Sequence, residues 1–380
     1  MASESERIPI AIVGGGPVGL SLALALHRQG VHCEIFDARD AAARRQDGRA
    51  LALSHGTQQT LDWLGVWPAV AATAITAIHV SQRGSFGRTL LRADDEGLPA
   101  LGYVATATSL IDALERVARQ SGLAIHDHAA VDSVTIKSEQ AQFKAGNENR
   151  NARLLAWAEG SIHRDASRVE RDYGQHAVVC TVAADKPHNN LAWERFTDEG
   201  PVALLPLGRD YAVVLTCSDT SVDSIAALDD AAFLAVLQAR FGTRLTFTTA
   251  TPRKVFPLGL RYRKHATGER QIWLGNAAQT LHPVAGQGFN LALRDVVELA
   301  RTVRDASDPG TASVLDRYAA QRRLDRRGAI SFTDALVRLF GTDFAPLRHA
   351  RGAGLLALDL LPPVRSFLAR RMMFGARAWP

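Results

Sequence analysis

Residues 8–39, IPIAIVGGGPVGLSLALALHRQGVHCEIFDAR, constrain the fold of this chain more than any other stretch. Ile8 to Val13 is a short apolar strand, Gly14, Gly15, Gly16 and Gly19 form a turn, Leu20 to His27 continue with helical periodicity, and Cys33 to Phe36 alternate into a second strand ending at Asp37. That order is a βαβ unit. A G-x-G-x-x-G inside it reads mechanically: Gly14 for the tight turn, Gly16 for approach of the backbone to a pyrophosphate, Gly19 for helix-to-strand packing. The phosphates would lie on the positive end of the helix. Asp37 follows Gly14 by 23 residues, near the offset of about 20 at which an acid accepts hydrogen bonds from ribose hydroxyls. A glycine turn alone also serves βαβ units that hold no ligand, so the reading rests on all four parts occurring in order.

A second glycine cluster, GNAAQTLHPVAGQGFNLALRDV at residues 275–296, lies between an apolar strand (IWLG) and a helix (NLALRDVVELA). Gly275, Gly286 and Gly288, with Pro283 and several amides, bring bare backbone up to a flat, polar cofactor. Read together, the two clusters point to a flavin dinucleotide.

The rest of the chain fits a large enzyme. Its 380 residues, 47% hydrophobic and 22% charged, suggest about two domains. Cys33, Cys180 and Cys217 have neither metal nor redox spacing and read as core residues in a reducing compartment. The N-terminus, MASESERIPI, lacks signal architecture, and no run reaches the ~18 apolar residues of a membrane span. A cytoplasmic protein is expected. The net charge of +5 does not indicate nucleic acid, because residues 348–380 hold Arg348, Arg351, Arg365, Arg370, Arg371 and Arg377 against Asp359 alone and so account for all of it. This segment reads as two short amphipathic helices hinged at Pro362-Pro363. Basic and apolar together, they suit either an acidic membrane surface or packing on their own domain.

Between the glycine clusters, residues 106–120 carry Leu110, Leu114 and Val117 at helical spacing and read as a surface helix. From about 176, HAVVCTVAA, LAWERFT, GPVALLPLG and YAVVLTC are strands separated by turn residues, with ALDDAAFLAVLQARF a helix among them. The expected fold class is α/β: a discontinuous FAD-binding Rossmann-like domain (1–75, 100–175, 266–340), an inserted antiparallel-sheet substrate domain (76–99, 176–265), and C-terminal basic helices (341–380).

The opening GGGPVG with Asp37, the DGRALALS stretch around Arg49, AWERFTDEGPVALLPL, and above all GNAAQTLHPVAGQGFNLALRDV resemble the ubiquinone-biosynthesis aromatic hydroxylases. These are class A flavoprotein monooxygenases, more distantly similar to para-hydroxybenzoate hydroxylase. The resemblance runs from about Ile8 through LLPPVRSFLARRMMFG, nearly the whole chain. Asn276 and Gln279, where most relatives have Asp and His, resemble the 2-polyprenyl-6-methoxyphenol hydroxylase branch.

The resemblance implies non-covalent FAD, with NAD(P)H and O2 as co-substrates, and hydroxylation of a polyprenyl phenol through a flavin C4a-hydroperoxide. Gly14, Gly16 and Gly19 would face the FAD pyrophosphate, and Asp37 the adenosine ribose. Arg49 would lie along the phosphates and ribityl chain unless it is a surface loop arginine. Asn276 would hydrogen-bond the ribityl hydroxyls. Pro283 and the backbone of Gly286, Gln287, Gly288, Phe289 and Asn290 would border the isoalloxazine, where N–H groups stabilise negative charge on the reduced ring. His282 either deprotonates the phenol or braces the loop. No metal site is implied.

This chain departs from the family at Glu159 and His163, within a stretch that reads Ala-Asp-Gly followed by a serine and an arginine in relatives. Ala292 also replaces a common glycine. Two isoprene units favour a lipid phase by about 8 kcal/mol at about 0.8 kcal/mol per carbon, so the basic C-terminal segment is expected to dock on the inner face of the membrane or on ubiquinone-biosynthesis proteins. A hydroxylase of another small phenol, a prenyl reductase, and a non-catalytic subunit of the same assembly remain the alternatives.

Overall fold

The computed structural model describes residues 7–162, 167–341 and 345–378. Ile8–Val13 lies at the centre of an eight-stranded sheet. Ile10, Ala11 and Ile12 have no exposed surface, which is why the run is continuously apolar: a parallel strand covered on both faces has no solvent side to alternate toward. It pairs in parallel with Cys33–Phe36 and with Glu148–Trp157. Ala124–His126 and Gln271–Trp273 extend the parallel set at either side, and Val131–Lys137 with Gln140–Ala145 adds an antiparallel meander.

Helix Pro17–Arg28 packs its leucines between this sheet and the helices Ala107–Gln120 and Gln287–Val303. The surface reading of the 106–120 helix needs correcting on one side. Glu115 is buried, because Arg44 folds its guanidinium in to meet it at 3.0 Å and Asp127 at 2.7 Å. Arg119 donates to the same carboxylate at 2.7 Å, one helical turn away.

A second sheet of nine strands carries the apolar alternating segments of the middle of the chain. It starts earlier than residue 176: one long strand, Arg168–Ala184, pairs with Lys254–Arg263 along most of its length. A register shift between Asp172 and Gln175, with Gly174 at φ +62°, breaks the alternation that a sequence reading follows. Gln279–Thr280, from the second glycine cluster, also joins this sheet by pairing with Lys254–Arg263. The glycine-rich loop is thereby held by both sheets.

Register places one cross-strand row on a single face. Thr89 lies opposite Val80, Val80 opposite Glu194, Glu194 opposite Ala203, and Ala203 opposite Val214. Directly paired residues share a face, so all five point the same way.

Helices Ala345–Leu360 and Pro362–Phe374 are bent by 97° around Leu361. They cover the second sheet rather than standing free as a tail. Arg365 pairs with Asp95 at 3.1 Å, Arg370 with Glu96 at 2.8 Å, and Arg351 donates to the carbonyls of Leu339 and Phe340 at 3.0 and 3.2 Å, capping the end of helix Ala312–Gly341. Three of the segment's six arginines are thus engaged within the chain; the side chains of Arg348 and Arg377 lie outside those described. No single helix among the described residues is long and apolar enough to cross a membrane; the bent pair passes that test only jointly.

A buried ionic network fixes the helices against one another. Arg322 bonds Asp295 at 2.6 Å and Asp325 at 2.8 Å, Arg294 reaches Asp325 at 2.8 Å, and the Ala376 N–H donates to Asp325 at 2.9 Å. Burial opposes ionisation of Asp325, but Arg294 and Arg322 outweigh it and hold its carboxyl at about 2.

Candidate active site

The N-terminal glycines divide their labour. Gly14 has φ +107°, and a Cβ there would sit 2.8 Å from the Ala158 carbonyl oxygen. A Cβ on Gly19 would sit 1.9 Å from the Gly14 carbonyl oxygen, so Gly19 serves helix-to-strand packing. Gly16 differs: nothing lies within 4 Å of its Cβ position. It caps helix Pro17–Arg28 with no side-chain hydrogen bond, which leaves first-turn N–H groups available to an anion. Asp37, 3% exposed, accepts from Gly15 N at 2.5 Å and Arg39 N at 2.7 Å. It therefore shapes the turn as well as standing at the strand end.

The second cluster repeats the arrangement. Gly286 is left-handed at φ +59° and precedes helix Gln287–Val303 with no side-chain cap, and its Cβ position lies 3.0 Å from Ala52 Cβ. Gly288 faces open space. Asn290 braces the loop: its Oδ1 accepts from Ser54 N at 2.9 Å and Thr57 Oγ1 at 2.7 Å, while its Nδ2 donates to Ala52 O at 3.0 Å and Gly286 O at 2.7 Å. The Gln287 side chain turns to the C-terminal helix and donates to Met372 O at 3.2 Å. Phe289 packs against the main core.

Arg49 is half exposed; its guanidinium holds Asp47 at 2.8 and 2.6 Å and lies 5.0 Å from the Phe256 ring centroid. Asn276 is exposed on the short turn Gly275–Ala277. Gln279 is structural: it donates to Asp295 at 3.0 Å and accepts from Arg326 at 2.7 Å, extending the buried ionic network. Of the family departures, Glu159 is half-buried and His163 lies outside the described residues.

His282 is 1% exposed. Its Nδ1 accepts from Val284 N at 3.2 Å, which places the ring proton on Nε2, and Nε2 has no partner. Burial pushes its pKa down to about 4, so the ring is neutral at pH 7. A nitrogen already carrying the proton, beside one already engaged, braces the loop and can donate, but does not act as a base in this tautomer.

Beside this loop lies a cavity of about 620 Å³. Its floor is the second sheet, through Val80, Ala203 and Val214; one wall is the loop His282, Pro283, Val284 and Gly286; other walls come from helix Ala312–Gly341, through Leu336 and Phe340, and from the C-terminal helices, through Leu355 and Leu368. Phe196 and Phe340, both in its lining, stack on each other at 3.5 Å between centroids. Glu194 also lines it, and burial raises that carboxyl to about 7.

Two uncapped helix N-termini, each preceded by a glycine turn and aimed at open space, fit a long anionic dinucleotide. The FAD binding domain family matches residues 7–333. The chain belongs to this family of FAD-dependent monooxygenases. It is 34% identical to the ubiquinone hydroxylase UbiL of Rhodospirillum rubrum, over 100% of this chain and 92% of the relative. It is 29% identical to the 3-demethoxyubiquinol 3-hydroxylase of Escherichia coli K12, over 93% and 95%. The p-nitrophenol 4-monooxygenase PnpA of Pseudomonas putida DLL-E4 superposes with a TM-score of 0.76 at 17% identity, covering 97% of each chain. The architecture of this monooxygenase is thus the para-hydroxybenzoate-hydroxylase-like fold, and its cofactor is FAD.

Sequence reasoning missed the cavity and Glu194. A signal was present: in LAWERFT, Ala192, Glu194 and Phe196 share one strand face, so a carboxylate stands in an apolar register.

Proposed function

We propose that this monooxygenase hydroxylates the ring of a polyprenylated phenol in ubiquinone biosynthesis, using O2 and NAD(P)H. The observation that carries the reading is the apolar cavity of about 620 Å³ set against the Gly286 loop; its size is that of a site for a ring with part of an apolar chain. Bound FAD supplies the reduction of oxygen and its transfer to the ring. The first-turn N–H groups after Gly16 hold the pyrophosphate, Asp37 stands at the adenosine ribose, and Asn276 at the ribityl hydroxyls. Arg49 shares its guanidinium between Asp47 and the cofactor phosphates. Pro283 and the Gly286–Asn290 backbone frame the flavin ring, with Asn290 and His282 keeping that frame in place. The apolar walls exclude water from the reacting centre, which suppresses unproductive loss of activated oxygen.

A polyprenyl chain longer than the cavity has to be received from a lipid phase. The bend of the C-terminal helices exposes Leu356, Leu360, Leu361, Val364 and Phe367 together, and Leu355, Leu358 and Leu368 of the same helices line the cavity. That bend is the membrane-facing surface of this reading, and apolar insertion rather than net charge is its main attraction, because Arg365 and Arg370 are paired within the chain. The test is turnover of a prenylated phenol by FAD-loaded protein with NAD(P)H and O2, followed by mass spectrometry. A product heavier by one oxygen supports the reading; NAD(P)H oxidation that yields only hydrogen peroxide contradicts it.

A further inference from the structure

The cavity is apolar except at a few atoms, and those atoms are unusual. Of the lining residues, Thr89, Trp193, Glu194, Thr216 and His282 each carry a buried side-chain polar atom with no hydrogen-bond partner among the described residues. Trp193 stands on the opposite strand face from Glu194, which leaves Thr89 Oγ1, Glu194 Oε1, Thr216 Oγ1 and His282 Nε2 on the cavity side. Buried polar atoms are nearly always satisfied, and one left open calls for an explanation. Four around a single void mark places where a bound molecule brings the missing partners. Three of them lie on the sheet floor: Thr89 and Glu194 belong to the same cross-strand row, and Thr216 follows Val214 of that row by two residues, on the same face.

We propose that Glu194 accepts the hydrogen bond of the substrate's ring hydroxyl and takes its proton as the ring is hydroxylated. The inference rests on the functional reading above and adds to it the group that activates the ring. Glu194 stands at the middle of the row, flanked in register by apolar Val80 and Ala203. Arg195, next in sequence, lies on the opposite face, where it donates to Ser81 at 3.5 Å. Apart from Glu194, the titratable or charged residues lining the cavity are His282, from the loop, and Arg351, from helix Ala345–Leu360. His282 is neutral and offers a donor, and Arg351 is occupied by the Leu339 and Phe340 carbonyls. Among the described residues, Glu194 is therefore the one lining side chain equipped to take a proton.

The step balances simply. The phenol O–H bond breaks and a carboxyl O–H bond forms on Glu194, while the oxygen's electron pair flows into the ring toward the carbon that gains oxygen. When that carbon sheds its hydrogen as a proton, which ends in the water made from the second atom of O2, aromaticity returns and Glu194 gives its proton back to the same ring oxygen. A free phenol, with a pKa of about 10, is a weaker acid than this carboxyl. The transfer becomes favourable as attack withdraws electrons from the ring, which is when a base accelerates the reaction.

Glu194→Gln keeps the shape and removes the base. In the FAD-loaded enzyme, the expected result is a fall in hydroxylated product of about 100-fold or more, with FAD affinity and flavin spectrum unchanged. The wild-type kcat/KM should rise with pH through a limb near 7 that is absent in Glu194→Gln, and Glu194→Asp should recover part of the rate. Binding of the same prenylated phenol, followed by flavin fluorescence, should tighten with pH in the wild type and not in the variant. Wild-type rate and an unchanged limb in Glu194→Gln overturn the proposal. Were the wild type to bind the phenol without hydroxylating it, the functional reading would fail by itself, and the pH dependence of binding would still decide the role of Glu194.

Discussion

Asn290→Ala tests how the flavin loop is held. The side chain is 3% exposed and makes four hydrogen bonds, two accepted from Ser54 N and Thr57 Oγ1 and two donated to Ala52 O and Gly286 O. A net contribution near 1 kcal/mol per bond, with partners left unsatisfied, gives a loss of roughly 3 to 5 kcal/mol. Because Gly286 loses its tie to strand Ala50–Ser54, FAD binding should also weaken by about tenfold, or 1.4 kcal/mol. Asn290→Asp is the control: it keeps both acceptor contacts but turns a carboxylate oxygen on two carbonyls, so it should be no more stable than the alanine variant. Urea unfolding with and without FAD, together with FAD titration, measures both quantities. A change below about 0.5 kcal/mol, the range of ordinary surface substitutions, with unaltered FAD affinity would refute the bracing argument.

Three further outcomes are expected. Gly16→Ala should leave apoprotein stability nearly unchanged while weakening FAD, since its Cβ meets nothing within 4 Å, whereas Gly19→Ala should damage both, its Cβ falling 1.9 Å from the Gly14 carbonyl oxygen; paired thermal melts and FAD titrations separate the two. His282, lowered from 6.5 to about 4, contributes stability present above pH 6.5 and lost as pH falls through about 4, and denaturation of His282→Gln across that window should lack this component. Glu194 is raised from 4.5 to about 7, so its contribution is full below pH 4.5 and lost as pH rises through 7; Glu194→Gln should be more stable than wild type at pH 8, by up to about 3 kcal/mol.

Sequence conveyed the parts of the fold that local rules govern. The βαβ unit was legible because strand burial, glycine geometry and helix period all act within about thirty residues of Ile8, and the second glycine cluster because Gly286 and Gly288 have few other uses before a helix. The strand beginning at Arg168 was not, because the Asp172 to Gln175 irregularity interrupts its alternation. Asn290 and Gln287 stood in the motif, but their side chains act on Ala52 and Met372, contacts that only the tertiary fold creates. The same holds for Gln279, whose partners Asp295 and Arg326 come from two later helices. The charge of the C-terminal segment is what its sequence displays, yet its leucines and Phe340 of the preceding helix close the cavity, while Arg365 and Arg370 are paired and Arg351 caps a helix end.

The most direct measurement of the central claim is oxygen incorporation. FAD-loaded protein is given NAD(P)H, a prenylated phenol and isotopically labelled O2, and the product is analysed by mass spectrometry. The account predicts a ring-hydroxylated phenol carrying one labelled oxygen atom, formed in proportion to NAD(P)H consumed. An unmodified phenol with labelled hydrogen peroxide, or a product whose new oxygen comes from water, would contradict it.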